Sequence, residues 1–330
     1  MDSTFHAFVV TEDAGKVIAT LRDATLDELS EGNVLVRVAY SALNYKDGLA
    51  LTGRNRVVRT YPLAPGIDYA GTVVESADPA LKPGDAVVLT GWGVGERYWG
   101  GFSQFARAHG EWLVPVPSPL TLRQAMQLGT AGVTALMAIE ALEAHGLTAG
   151  AGDVLVTGAT GGVGSVAVML LHALGHRVVA ATRDRDAVSY LTALGAAEVV
   201  DSATLVPQGG PLGSARWAGA VDTVGGGLLA GVIRTLGPGG SVAACGNAGG
   251  FDVPTSVLPF ILRGVNVLGI DSLPVPLARR KALWARLALI TPFARLDTIT
   301  TTIGLDGLPR AAEEILAART RGRVLVDVNA

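Results

Sequence analysis

Cysteine is almost missing: Cys245 is the only one in 330 residues. One thiol closes no internal disulfide and builds no thiolate zinc site, so a reducing, cytoplasmic setting is expected and the fold must stand on its apolar core. Charge is equally sparse. Charged residues make up 17% of the chain, and 26 Lys+Arg against 29 Asp+Glu leave a formal net charge of -3. That balance lacks the basic footprint of a nucleic-acid binder. Long hydrophobic runs are missing too. The greasiest stretches are interrupted by Glu140, Glu143 and His172 before the roughly 20 apolar residues of a membrane span. The start, Met1 to Val10, carries Asp2 and His6 and lacks the basic patch and apolar run of an export signal. Neither a nucleic-acid nor a membrane partner is expected.

Several catalytic signatures are absent as well. There is no GxSxG elbow, no GxxxxGK[ST] phosphate loop and no HExxH pair, which counts against hydrolases, nucleotide triphosphatases and metalloproteases. The first 120 or so residues contain no cysteine, and His109 and Glu111 beside Trp112 have no further ligands clustered near them. No zinc site is expected.

What is present points to two domains. The chain exceeds the size at which one hydrophobic core stops growing, and 49% of it is hydrophobic. Up to about residue 120 it reads as short strands. Val34 to Tyr40 alternates around Arg37, Gly71 to Glu75 is β-branched, and Ala86 to Leu89 follows the turn Lys82-Pro83-Gly84-Asp85. From Arg123 to His145 the chain is rich in Ala, Leu and Met, as helices are. Strands and helices then alternate. Strands are expected at Val154 to Thr157, Arg177 to Ala181, Glu198 to Val200, Ala220 to Thr223, Ser241 to Cys245 and Val265 to Ile270, with helices at Val163 to Leu174 and Asp184 to Leu194. Short, mostly continuous apolar strands of this kind imply a buried parallel sheet. After Pro274 and Pro276, a helix through Trp284 to Leu289, a strand Thr298 to Ile303, a helix Leu308 to Ala318 and a strand Arg323 to Val328 are expected to return to the first domain. The expected fold class is therefore α/β, with residues 1–120 and 296–330 forming a partly open β-barrel domain around a doubly wound parallel-sheet domain at 121–295.

Between the first strand of that sheet and its helix lies Thr157-Gly158-Ala159-Thr160-Gly161-Gly162-Val163-Gly164-Ser165. The spacing is GxxGxxG with one extra glycine, not the common GxGxxG. It still meets the physical need, because glycines permit a tight turn and let a pyrophosphate approach the backbone at the positive end of the helix. A structural turn is the plainer alternative, and the strand-turn-helix-strand context favours a dinucleotide site. The second strand ends Ala181-Thr182-Arg183-Asp184-Arg185. Thr182 and Arg183 suit a 2'-phosphate, while Asp184 falls where a helix N-cap belongs, which favours NADPH over NADH. The alternative has Arg183 and Arg185 solvated and Asp184 on a ribose hydroxyl.

Four other segments stand out. Polar Ser41 to Gly48 either lines a cleft or forms an Asp/Asn turn with a capped helix start. Gly91 to Phe102 packs four aromatics among five glycines, as a mobile pocket wall or as packing anchors. Arg54, Arg56 and Arg59 either meet phosphates of a large substrate or form a solvated loop. Cys245, ending a buried strand without a cationic neighbour in sequence, reads as a small core residue.

The segments SALNYKDGLALTG, PGIDYAGTV, LTGWGVGERYWGGFSQ, TGATGGVGS, WAGAVDTVGG, ACGNAGGF and PFILRGVNVLGIDS together resemble the acrylyl-CoA reductase branch of the zinc-free, quinone oxidoreductase-like medium-chain dehydrogenases/reductases. The similarity spans nearly the whole chain. It implies a GroES-like catalytic domain, a Rossmann domain, a cytoplasmic homodimer, and NADPH-dependent reduction of acrylyl-CoA to propionyl-CoA with the cofactor in the cleft between domains. By the same resemblance Tyr45 looks like the cofactor-contacting tyrosine, and Thr160, Gly161, Gly162 and Val163 like the pyrophosphate turn. Where relatives have Ser-Gly-Arg for the 2'-phosphate, this chain has Ala181-Thr182-Arg183, so the arginine carries over and the glycine does not. Asn247 and Asn329 sit where relatives approach the nicotinamide or its ribose. Tyr45, Asn44 or water is expected to supply a proton or hold an enolate oxygen, with Asp47 and Lys46 orienting the loop. Val265 to Ile270, a greasy strand at an open sheet edge, gives a dimer its physical motive. Quinone reduction is the rival enzymatic reading, and a cofactor-binding protein without turnover is the non-enzymatic one.

Overall fold

The computed structural model describes residues 4–206 and 209–330. The chain opens on an antiparallel hairpin, β1 (Phe5–Asp13) and β2 (Lys16–Ala24), which the sequence reading did not anticipate. The two faces of β1 serve two cores. Phe8 and Val10 join the large β-core with Val36, Val38 and Tyr69, while Phe5, Ala7 and Val9 pack with Leu35 and Trp99 in a smaller cluster. That alternation is the period-two signature of a strand buried on both faces.

There follow β3 (Val34–Leu43), α1 (Tyr45–Thr52), β4 (Asp68–Ser76), β5 (Ala86–Thr90), β6 (Phe105–Ala108) and β7 (Val114–Pro115). Helix α2 (Leu122–Ala144) is broken at Gly129, whose φ of 51 and ψ of -152 are not helical. By length and composition α2 resembles a membrane span, yet 78% of its apolar window is buried within the protein, as in a core helix.

Strands β8 (Asp153–Thr157), β9 (Arg177–Thr182), β10 (Ala196–Asp201), β11 (Trp217–Asp222), β12 (Leu236–Ala244) and β13 (Asn266–Gly269) alternate with α3 (Gly162–Ala173), α4 (Val188–Ala193), α5 (Gly226–Thr235) and α6 (Leu258–Arg263). Every pairing among these strands is parallel, in the order β10-β9-β8-β11-β12-β13. The order reverses between β8 and β11, the switch point at which open α/β sheets bind ligands beyond their strand ends. The chain closes with α7 (Leu277–Ile290), β14 (Thr300–Ile303), α8 (Leu308–Leu316) and β15 (Arg323–Asp327). Strand β15 pairs antiparallel with β3, completing the sheet β14-β15-β3-β4-β5-β7, with β6 also on β3.

The compact units divide the chain somewhat differently from the expected boundaries. The first runs to Thr130 and includes Ser272–Ala288 and Leu296–Ala330; the second is Ala131–Asp271 with Leu289–Arg295. Two sets of contacts explain this. Gln127 at the start of α2 donates to Asp297 at 2.8 Å and Thr300 at 3.3 Å. Arg280 on α7, fully buried, donates to Thr90 Oγ1 at 2.6 Å and to the carbonyls of Ser272 and Leu273 at 3.1 and 3.0 Å. A buried guanidinium has to meet acceptors, and its acceptors all lie in the first unit.

Candidate active site

In the second unit, β8 ends at Thr157 and the chain turns through Gly158 to Gly161 into α3. Gly161 N–H donates to Gly158 O at 2.9 Å and Ser165 N–H to Gly161 O at 2.8 Å. The amides of Gly162, Val163 and Gly164 at the helix start have no acceptor inside the helix and are available to an anion. Gly158 has φ +57, and a Cβ there would run into Thr223 Oγ1, so only glycine fits. Ser165 Oγ donates to Ala159 O at 3.1 Å and accepts from Tyr190 Oη at 2.8 Å, while Ala159 N–H donates to Ala181 O at 3.2 Å. These bonds tie the turn to β9.

At the end of β9, buried Thr182 accepts from Asp184 N–H at 3.0 Å, which leaves its own hydroxyl proton free to be donated. Asp184 caps the short helical turn Arg185–Ala187 by accepting from Asp186 N–H, the role its position in sequence indicated. Arg185 pairs with Asp201 at 3.5 Å. Arg183 is exposed and forms no ion pair among the described residues. An unpaired guanidinium beside a free hydroxyl, one strand from the glycine turn, fits the 2'-phosphate and pyrophosphate of NADP.

Asn247 is exposed just past β12, its carbonyl accepting from Gly250 N–H at 3.0 Å. It helps line an open recess of about 540 Å³ formed by residues 244–247 and 269–271. Cys245 in that wall has its thiol pushed up to about 12, by burial first and by nearby Asp222 second. It is no nucleophile at neutral pH. One residue the sequence reading passed over is Asp222, fully buried at the end of β11. Its only signal was its place at the end of a predicted apolar strand.

The first unit gathers a different set. Asn44 caps α1, and Asp47 turns back to accept from Asn44 N–H at 2.8 Å and, through its other oxygen, from Ile67 N–H at 3.0 Å. The capped-helix reading of this segment therefore describes its local structure. The Asn44 side chain donates to Asp68 at 3.0 Å and Asp47 at 3.3 Å, and its Oδ1 accepts from Arg323 at 3.1 Å. Asp68 also accepts from Thr130 N–H at 2.8 Å and from the Thr130 hydroxyl, and Arg323 stands 3.9 Å away. Arg323 further donates from Nε to Gln127 O at 3.0 Å. The kink at Gly129 makes this possible, since a Cβ there would sit 2.5 Å from Asp68 Oδ2. Burial pushes the Asp47 carboxyl up to about 7, against the pull of its backbone donors. Burial likewise raises Asp68, opposed by Arg323 and Thr130.

Both ends of the Asn44 amide are thus occupied. Tyr45, the first residue of α1, is different: it is 45% exposed and its hydroxyl takes no partner among the described residues. Lys46 pairs with Glu96 at 2.8 Å, fixing the loop beside α1. Asn329 is not part of this cluster. It is exposed past the end of β15, donating to Val38 O at 3.3 Å, which lies roughly 20 Å along the chain from Asn44 at the usual rise per residue of a strand.

The aromatic loop is a packed wall: Trp99 and Phe102 are buried and Trp92 stacks on Trp112 with ring centroids 6.1 Å apart. His109 packs edge-on against the same Trp112. Arg54 pairs with Glu313 at 3.1 Å, and Arg56 and Arg59 are exposed. Among the described residues no group of three or more His, Cys, Asp or Glu is placed to hold a metal ion.

A parallel sheet in this strand order, a glycine turn at its switch point and a separate β-unit presenting a tyrosine on a capped helix define a two-unit, dinucleotide-dependent oxidoreductase. Residues 30–118 match the alcohol dehydrogenase GroES-like domain and residues 162–283 the zinc-binding dehydrogenase family. The chain belongs to the medium-chain dehydrogenase/reductase superfamily, in the quinone oxidoreductase-like branch that includes acrylyl-CoA reductase. It is 50% identical to acrylyl-CoA reductase AcuI of Ruegeria pomeroyi over 99% of this chain and 100% of that one. The structure of Escherichia coli K-12 YhdH with bound NADPH is 46% identical, covers 98% of this chain and 100% of its own, and superposes with a TM-score of 0.95. Bacillus subtilis YhfP, named as a putative quinone oxidoreductase, is 45% identical over 99% of each chain. Its structure with NAD bound gives a TM-score of 0.95 at 44% identity, covering 99% of this chain and 100% of that one.

Proposed function

We propose that the protein reduces the carbon–carbon double bond of a 2-enoyl thioester with NADPH, converting acrylyl-CoA to propionyl-CoA. The end-to-end likeness to acrylyl-CoA reductase AcuI carries the substrate class, and unpaired Arg183 beside the glycine turn supports the phosphorylated cofactor. Thr160, Gly161, Gly162 and Val163 hold the pyrophosphate in this reading, Thr182 and Arg183 the 2'-phosphate, and Asn247 the nicotinamide end. NADPH, when bound, supplies the hydride that the β-carbon takes up. The thioester oxygen then carries enolate charge, and the α-carbon needs a proton. The unpartnered phenol of Tyr45 is the group that can hold or give that proton. Asn44 and Asp47 act behind it, because their polar atoms are spent on each other and on Ile67, Asp68 and Arg323. No metal is required in this scheme, so a chelator leaves the rate unchanged.

The decisive assay follows nicotinamide absorbance with acrylyl-CoA and, in parallel, with a quinone. Faster turnover of the quinone would move the protein to the reading that the name of YhfP offers. Tyr45→Phe should keep its NADPH affinity and lose about 100-fold or more in kcat, the scale of a general acid; an unchanged kcat would remove Tyr45 from the chemistry. The cytoplasmic setting is supported by the lone cysteine and is tested by cell fractionation. A homodimer is supported by β13 at the open edge of its sheet, with Val267, Ile261 and Leu262 exposed nearby. A monomer in sedimentation would contradict it.

A further inference from the structure

The ends of β8, β11 and β12 are laced together around one carboxylate. Asp222, with no exposed surface, accepts the Thr157 hydroxyl at 2.6 Å on one oxygen and Gly225 N–H at 2.7 Å on the other. Thr157 Oγ1 in turn accepts from Thr223 N–H at 3.1 Å, and the Thr223 hydroxyl donates to Thr157 O at 3.0 Å. Cys245 N–H donates to Asp222 O at 2.9 Å. Thr157 is the residue immediately before Gly158, and a Cβ on Gly158 would meet Thr223 Oγ1. The glycine turn thus rests directly on the β11 turn, and the carboxylate sets the spacing between them.

For stability alone this is a poor arrangement. A buried carboxylate carries a desolvation cost that a well-packed apolar pair of similar volume would avoid. A carboxylate does offer two acceptors at fixed separation, and here they bridge two strand-end turns, one of which presents the α3 amides. We propose that Asp222 is a positioning residue for the dinucleotide: acting through Thr157, it holds the glycine turn at the height at which the α3 amides meet the pyrophosphate. This rests on the reading that the turn binds NADPH.

The test titrates NADPH against the purified full chain for the wild type, Thr157→Val, Thr157→Ser and Asp222→Asn, alongside the thermal midpoint and the KM for the enoyl thioester at saturating NADPH. Thr157→Val and Asp222→Asn should raise the NADPH Kd about tenfold, the scale of losing one hydrogen bond to a charged group. The thioester KM should stay put, and Thr157→Ser, which restores the hydroxyl, should bind as the wild type does. If Asp222→Asn fails to fold, the two Thr157 variants carry the comparison. A Thr157→Val chain with a lower midpoint but unchanged NADPH affinity overturns the proposal and leaves Asp222 a structural residue. A wild-type chain that binds no NADPH overturns the cofactor reading and this proposal with it.

Discussion

The two units build their functional surfaces from different materials. In the second unit the surface is backbone: free amides at the start of α3 and glycines whose missing side chains let a ligand in, with one guanidinium at the end of β9. In the first unit it is side chains: Asn44, Asp47, Asp68, Thr130 and Arg323 form a buried, charged and titratable network that presents one exposed phenol. A backbone site is carried by a few consecutive residues and has no charge state to lose. A side-chain site can be tuned by each partner and fails when one partner is removed, because the others are left buried and unpaired.

The largest effect that follows is on Arg323. Arg323→Ala leaves Asp68 without its cation in a fully buried setting, and denaturant unfolding should show a loss of about 3–5 kcal/mol. A loss below about 1 kcal/mol would mean that the network behaves like a surface pair and that the contrast between the units is false. Next comes pH. Asp47 ordinarily titrates near 3.8 and is raised to about 7 in the folded chain. Its contribution to stability is therefore fully present below pH 4 and is lost as pH rises through 7. Asp68 and Arg323 face it across the same cluster, so the comparison must be with a variant that keeps both. Relative to Asp47→Asn, the wild type should lose on the order of a few kcal/mol between pH 4 and pH 8, read from unfolding midpoints across that range. Parallel profiles would show that Asp47 does not take up a proton on folding. The smallest effect probes the backbone site at its charged side chain. Arg183→Ala should weaken NADPH about tenfold, as expected for one charge-assisted bond, and leave NADH untouched in titration. Equal weakening of both nucleotides would place Arg183 away from the 2'-phosphate.

The same contrast explains what could be read from the sequence. Strands β3, β4, β8 and β9, the glycine turn and the Asp184 cap are local features, decided by a few neighbouring residues, and periodicity and turn chemistry expose them. The segment from Asn44 to Asp47 was also legible as a capped helix start. Its partners were not. Asp68 opens a largely apolar strand, Thr130 follows a kink that composition does not mark, and Arg323 begins the last strand; the pairings of β4 and β15 with β3 and the kink at Gly129 bring them together. Helix α5 went unseen because it opens on Gly226-Gly227, which carry the weakest helix propensity short of proline. The β1–β2 hairpin was missed for another reason. β1 is buried along most of its length, so it shows little of the alternation by which strands are recognised.

The late position of β15 bears on how the first unit is made. Arg323 lies 279 residues beyond the amide it grips, Asn44. During synthesis the parallel sheet of the second unit is nearly all contiguous and complete in chain order by Gly269, before the guanidinium exists. Until the last strand arrives, Asp47 and Asp68 keep their water or their protons, and the helix bearing Tyr45 has no cation behind its cap. The cap behind Tyr45 thus waits on a strand made long after the helix it supports, whereas the glycine turn of the second unit is assembled from neighbours in the chain.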